Sequence, residues 1–175
     1  NAQIIALGWD ELGDLRQYKT RNEIKDALKN AYGGKGSKKN DVSANDDFAN
    51  KVNIGDVIIT KKGRGELLGY GVVTSDYFFD DKRNDYKSCR KIDWKLKGSW
   101  KVDHSLVIKT FTDITKYSSD HPDYDTFYDW LIGIMESNDN TKEINQMNLS
   151  LNTILYGPPG TGKTYKLKNE FFEKF

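Results

Sequence analysis

The most chemically informative stretch of the sequence is an eight-residue segment near its end, GPPGTGKT at residues 157–164. It fits the pattern GxxxxGK[ST] in full. An apolar strand at 154–156 leads into it, and residues 165–175 can form a helix after it. In such a loop the glycines let backbone amides wrap a phosphate, the lysine reaches the β- and γ-phosphates, and the hydroxyl coordinates magnesium. The pattern and its context therefore predict a nucleotide-binding loop rather than a chance glycine-rich turn. The expected contacts are Gly157, Gly160, Thr161, Gly162, Lys163 and Thr164, with Thr164 as the metal ligand.

The residues after this loop do not complete a nucleotide-hydrolysing site. A working enzyme of this class also needs an acidic strand for magnesium and water, plus sensor and arginine-finger residues. None of these lies between Thr164 and Phe175. We therefore expect nucleotide and magnesium to act in the full-length protein, with no catalysis and no bound cofactor in this fragment.

A second group of residues suits a flat, apolar guest. Trp9 follows the first predicted strand, Tyr77 lies near the end of a later strand, and Trp94 lies in the middle of the next. A nucleobase flipped out of its helix can stack between such rings while its edge bonds to backbone or to a carboxyl group such as that of Asp10. A methylated base suits a site between such rings, because binding there transfers its apolar methyl group out of water. We expect Trp9, Asp10, Tyr77 and Trp94 to line a modified-base pocket; the alternative is that the rings simply fill the core.

Two clusters of cations accompany these aromatic residues. Residues 82–101 carry eight lysines and arginines against two acids, and a second cluster occupies a predicted loop tip at 61–64. Such clusters neutralise phosphates and make binding salt-dependent, whereas the plainer alternative is a solvated charged face. We expect six of these side chains to contact a DNA backbone: Lys61, Lys62, Arg64, Arg83, Lys87 and Arg90.

The overall composition narrows the classes of function. With 27 basic and 26 acidic residues the net charge is +1, so nucleic-acid binding has to come from local patches. A single cysteine fits a reducing cytoplasm, and no apolar run reaches the roughly 20 residues of a membrane span. His104 and His121 lack the spacing of a metal site, and no nucleophile–base arrangement is present. We expect a cytoplasmic protein that does not contact a membrane and whose first domain is not catalytic.

The elements that position these residues indicate an α+β fold. Thr20 and Glu23 match a capping box at the start of a helix that ends at Gly33, and Ser43 or Asn45 is expected to cap a second, short helix. Runs in which apolar and polar residues alternate, and short runs of apolar residues, predict strands. Apolar residues that recur every three or four positions predict a later helix. The strands are expected at 4–7, 57–60, 67–74, 90–96 and 106–108, and the later helix at 122–135.

This order predicts a curved antiparallel sheet or small pseudo-barrel with flanking helices, followed by the beginning of a second domain. We place a recognition domain at 3–136 and a polar linker at 137–148. The strand, phosphate loop and first helix of a truncated motor domain are expected at 149–175.

Two parts of the sequence resemble known families. LYGPPGTGKTY at 155–165 resembles the Walker A region of the McrB-type GTPase subunit of modification-dependent restriction systems, a branch of the AAA+ motors. IALGWDELGDL at 5–15, IGDVIITKKG at 54–63 and LGYGVV at 68–73 resemble EVE domains of the PUA/YTH-like superfamily.

The resemblance implies a PUA/EVE-like pseudo-barrel that flips a modified base, of the 5-methylcytosine or N6-methyladenine type, into an aromatic cage. It also implies a hexameric motor, fuelled by GTP (or ATP) with magnesium, that recruits an McrC-like nuclease subunit. Members of the superfamily place cage residues on different strands, so only Trp9 and Trp94 are carried over as cage candidates.

The leading hypothesis from the sequence is therefore a modified-DNA reader fused to a GTP-dependent restriction motor. A modified-RNA reader is one alternative, because YTH-like pockets also bind modified RNA. A domain that docks a protein or assembles the motor, without touching nucleic acid, is the other, since the net charge is close to zero.

Overall fold

A computed structural model describes residues 3–34, 36–103, 105–107 and 109–137, together with the backbone of residues 153–157. In these residues the fold is α+β, with an antiparallel sheet curled into a half barrel and three helices. The strands are β1 (Ile4–Leu7), β2 (Val57–Lys62), β3 (Glu66–Val73), β4 (Phe78–Phe79), β5 (Ser88–Lys101), β6 (Phe111–Asp113) and β7 (Thr153–Gly157). The helices are α1 (Arg21–Tyr32), α2 (Lys39–Asn50) and α3 (Phe127–Ser137).

Strand β5 organises the sheet, whose order is β1-β5-β3-β2-β7-β6 with β4 also paired to β5. Its first residues pair with β1 and β4, and its later residues pair with β3. Irregular register between β3 and β5 coincides with Gly69 and Gly71. A Cβ on Gly69 would lie 2.2 Å from the Leu96 carbonyl oxygen, so only glycine permits this close approach of the two backbones.

The first helix confirms its sequence signals. Thr20 caps α1 by accepting the backbone N–H of Glu23, and Gly33 ends it with φ of 63°. The second helix starts at Lys39, earlier than predicted. The residue before it, Lys38, has a left-handed conformation and marks the boundary. Asn45 is therefore inside the helix, where its amide donates to the Asp41 carbonyl oxygen instead of capping. This corrects the expected cap at residue 43 or 45.

Two further boundaries differ from the sequence-based prediction. Leu106 and Val107 are not in a strand, and the short strand β6 follows at Phe111–Asp113. The last helix begins at Phe127, and Tyr124 lies before it with its hydroxyl against Gly133. The apolar periodicity of the sequence thus extended past the helix into the turn that packs on it.

The strand that leads into the phosphate-loop motif lies in this same sheet. β7 pairs antiparallel with β2 and parallel with β6, so both of its edges are hydrogen-bonded. Residues 138–148, 158–164 and 165–175 lie outside the described part of the chain. The linker, the nucleotide contacts and the domain boundaries therefore stay predictions.

Strand β2 separates two hydrophobic clusters. Ile58 packs into one with α1, α2 and Phe48, whereas the adjacent Ile59 packs into the other with Trp130 of α3. Both faces of β2 are buried for this reason, which explains its continuous apolar run. Within the described residues no helix has the length and apolarity needed to cross a membrane.

Candidate nucleic-acid interface

The segment directly after β1 forms a turn that is fixed mainly by its own backbone. Asp10–Leu12 is a 3-10 turn in which the Leu12 N–H donates to the Trp9 carbonyl oxygen over 3.0 Å. Leu12 is buried and anchors the turn, whereas Gly8 is exposed and Trp9 is half-buried against the edge of the first cluster. Part of the Trp9 side chain therefore remains at the surface.

The Asp10 carboxylate joins this turn to a segment far away in the sequence. Its Oδ2 accepts the backbone N–H of Tyr86 and its Oδ1 accepts that of Lys87, each over 2.8 Å. Both oxygens are thereby committed to the β4–β5 loop. Asp10 holds the loop, which corrects the expectation that it offers its carboxylate to the edge of a base.

Tyr86 lies at this turn although the sequence did not predict it as a site residue. It is 39% exposed and has φ of 56°, a left-handed conformation that bulky residues rarely adopt. Its carbonyl oxygen accepts from Arg83 Nε at 3.0 Å and from Cys89 Sγ at 3.2 Å, so both backbone polar groups of Tyr86 are bonded. Backbone strain that the surroundings hold in place is often found at functional sites.

The ring of Tyr86 lies against Gly8. A Cβ on Gly8 would be 2.8 Å from Cε1 of that ring, so the absence of a side chain there allows the contact. A third aromatic residue, Tyr32 at the end of α1, is 43% exposed and accepts the Glu11 N–H at its hydroxyl oxygen over 3.3 Å. We call Gly8–Glu11 with Tyr32 and Tyr86 the Trp9 site.

Cations border the Trp9 site through the β4–β5 loop. Lys82 is exposed, and Arg83 and Lys87 are half-buried. Nε of Arg83 bonds to the carbonyl oxygens of Asp85 and Tyr86, which fixes the side chain within the loop. Burial raises the pKa of the neighbouring Cys89 thiol to about 11, so this cysteine is a protonated donor at neutral pH.

Tyr77 belongs to the core and not to a pocket wall. It is 7% exposed, and its ring meets that of Phe48 edge-on with centroids 6.3 Å apart. Its hydroxyl accepts the Leu15 N–H at 3.0 Å and lies 3.2 Å from the Ser88 hydroxyl. These bonds satisfy a buried phenol, and they correct the expectation that Tyr77 lines the slot.

Trp94 lies at the other end of β1 from Trp9. Its backbone N–H donates to the Gln3 side chain, which precedes β1, whereas Trp9 lies two residues beyond the end of β1. Six residues of near-extended chain span about 20 Å. Trp94 and Trp9 therefore flank opposite ends of β1, and Tyr77 lies in the core, so only Trp9 and Asp10 of the four predicted pocket residues lie in one turn. The Lys97 ammonium lies 5.1 Å from the centroid of the Trp94 ring.

The six cations predicted to contact phosphates include both buried and surface side chains. Arg90 is 2% exposed, and its guanidinium donates to the carbonyl oxygens of Phe48, Ala49 and Ser75. It therefore holds the end of α2 against β5, which corrects its assignment to the surface.

Lys61 is likewise withdrawn from solvent, being 1% exposed with Nζ donating to the Gly63 carbonyl oxygen over 2.7 Å. This burial, with the nearby positive charge of Arg64, lowers the pKa of Lys61 to about 8. Lys62 and Arg64 are exposed at the β2–β3 hairpin, where Lys62 Nζ lies 4.0 Å from the Glu66 carboxylate. The surface cations of the predicted set are thus Lys62, Arg64, Arg83 and Lys87.

No metal site is formed in the part of the chain that the structure describes, where no three His, Cys, Asp or Glu side chains cluster suitably. His121 instead contacts the ring of Tyr124 with centroids 5.3 Å apart and lies 3.7 Å from the Asp123 carboxylate.

A family model described as a domain of unknown function, DUF8426, matches residues 1–120 of the chain. This range covers the Trp9 site, both basic clusters and strands β1 to β6. No curated protein and no solved structure matches the chain.

Proposed function

The chain belongs to the DUF8426 family, and we propose that this member is a DNA-binding specificity domain that reads a modified, methylated base. The observation that carries the proposal is the Trp9 site. There a half-buried indole stands beside a glycine that the ring of Tyr86 contacts. Flat aromatic surfaces at an open position favour a planar guest, because every base has a face that can stack.

The charges around the site support a nucleic-acid partner. Lys82, Arg83 and Lys87 lie in the same loop as Tyr86, so a strand whose base enters the slot has cations within reach of its phosphates. The near-neutral net charge means that this attraction is local, which favours specific over indiscriminate binding.

The curled antiparallel half barrel is compatible with a PUA-like fold, and the resemblance to EVE domains is part of the proposal. The phosphate-loop motif at 157–164 supports a fused AAA+ motor of the McrB type. In the full-length protein that motor would bind GTP or ATP with magnesium, assemble as a hexamer and engage an McrC-like nuclease subunit. The recognition domain would then direct this machinery to modified DNA.

The test compares two tryptophans in a binding titration. Duplexes identical except for 5-methylcytosine or N6-methyladenine at one position compete for the chain of 175 residues. We expect a preference for one modified duplex that Trp9→Ala reduces about tenfold, because stacking on one aromatic ring contributes about 1–3 kcal/mol per base. Trp94→Ala, about 20 Å away along the sheet, should keep the preference.

Three results would contradict this proposal. Equal loss of preference in both variants would mean that Trp9 acts through the fold. A tighter complex with the matched RNA would favour a modified-RNA reader, and the absence of any complex at low salt would favour a protein-docking domain.

A further inference from the structure

We infer that Asp10 is a positioning residue that holds Tyr86 over Gly8, and that the Tyr86 ring is the second aromatic contact for the guest of the Trp9 site. The inference rests on the proposed function and names the partner of Trp9 at the same site. It replaces the earlier candidates Tyr77 and Trp94, of which the first is buried and the second is distant.

The conformation of Tyr86 is imposed by its surroundings. A tyrosine at φ of 56° is disfavoured by its own sterics, so the bonds around it have to supply the restraint. The Asp10 carboxylate accepts two consecutive backbone N–H groups, while Arg83 and Cys89 donate to the Tyr86 carbonyl. Charge-assisted bonds to two amides form the stronger half of this restraint.

The Tyr86 ring lies at the surface beside Gly8. A core tyrosine would be buried and a free one would lie in solvent, but Tyr86 is 39% exposed with one ring edge against the exposed Gly8. The carboxylate that holds its backbone comes from the residue next to Trp9. One turn of the chain therefore fixes the backbones of Trp9 and Tyr86 relative to each other, and such preorganisation lowers the cost of ordering a binding site.

The experiment uses the same pairs of modified and unmodified duplexes and the full chain of 175 residues. Tyr86→Gly removes the ring but accepts the left-handed backbone without strain, so its melting temperature should not fall. We expect it to lose about tenfold of the preference for the modified duplex, and Tyr86→Phe, which restores the ring, to restore the preference. Tyr117→Ala is the matched control, because Tyr117 is 38% exposed but lies outside the Trp9 site.

The role of Asp10 has its own measurements. In the wild-type chain the Tyr86 ring current should shift the NMR signal of the Gly8 α-protons away from its random-coil position. Asp10→Asn keeps one acceptor oxygen and should reduce this shift, while Asp10→Ala should remove it. If Asp10 acts through Tyr86, Asp10→Ala in the Tyr86→Gly background should cause no further loss of preference.

The outcomes separate this inference from the proposed function. A wild-type chain with no preference between the duplexes overturns both. A wild-type preference that Tyr86→Gly leaves intact overturns the role of Tyr86 alone. If the double variant loses as much preference as the two single variants lose together, the positioning role of Asp10 is overturned.

Discussion

The two ends of strand β5 carry similar residue types in different settings. At the Ser88 end, the neighbouring Asp10, Arg83 and Cys89 side chains all bond to the backbone of Tyr86 or Lys87. At the Lys101 end, the strand pairs with Glu66 beside the β2–β3 hairpin, where Lys62 and Arg64 are exposed. The two ends are separated by about 40 Å of curled strand.

This difference indicates a division of roles. Side chains at the Ser88 end determine a local shape, because each bond fixes a backbone group in a particular conformation. Exposed cations at the Lys101 end keep their freedom and can follow a phosphate backbone of any sequence. We therefore expect specificity from the first end and sequence-independent affinity from the second.

The largest expected effect is on stability at the Ser88 end. Arg90→Met keeps much of the side-chain volume but leaves the carbonyl oxygens of Phe48, Ala49 and Ser75 without their buried donor. We expect the free energy of unfolding in a urea titration to fall by about 3 kcal/mol. The exposed Arg16→Met is the control and should change little. A small loss for Arg90→Met, together with weaker DNA binding, would return Arg90 to the phosphate contacts.

An intermediate effect is expected on affinity at the Lys101 end. Lys62→Ala should weaken binding to modified and unmodified duplexes alike by a few-fold. It should also reduce the slope of log K against log salt by about 0.9, the contribution of one phosphate contact. Lys116→Ala, an exposed lysine near α3, is the comparison. A changed preference between the duplexes would break the proposed division between the two ends.

The smallest expected effect distinguishes two adjacent lysines by pH. Burial lowers the pKa of Lys61 from 10.5 to about 8, so above pH 8 the folded chain releases a proton that the unfolded chain keeps until about pH 10.5. The unfolded state then binds more protons, and stability should rise from pH 8 to 9. Beyond pH 9 the raised pKa of Cys89, about 11, acts in the opposite direction, because the unfolded thiol ionises first.

The measurement is the free energy of unfolding at pH 7.5, 8 and 9. Lys61→Met should abolish the rise, and Lys62→Met, which changes an exposed lysine, should preserve it. The same rise in both variants would assign the titration to another group.

Much of the fold could be predicted from the sequence, because its signals are local. The Thr20–Glu23 cap and the end of α1 at Gly33 each follow from a few neighbouring residues. Predictions were wrong where packing outweighed propensity. The start of α2 moved to Lys39, and Leu106 and Val107 lie outside any strand, with β6 following at Phe111–Asp113.

The candidate site was predicted only in part. Trp9 was identified from its position after an apolar strand, and the structure leaves it half-buried. Tyr86 was missed, since nothing in the surrounding sequence indicates a strained tyrosine, and Tyr77 was misassigned because its buried hydroxyl partners come from distant segments.

The sequence by itself determined the α+β class, the extent of α1 and the presence of a phosphate-loop motif, since each depends on the spacing of near neighbours. Only the tertiary structure decided which lysine of the pair Lys61 and Lys62 is buried, because β2 is covered on both faces. It also decided that Asp10 binds Tyr86 across 76 positions of the chain. Contacts of this length depend on how the sheet curls, and no local pattern of residues encodes that.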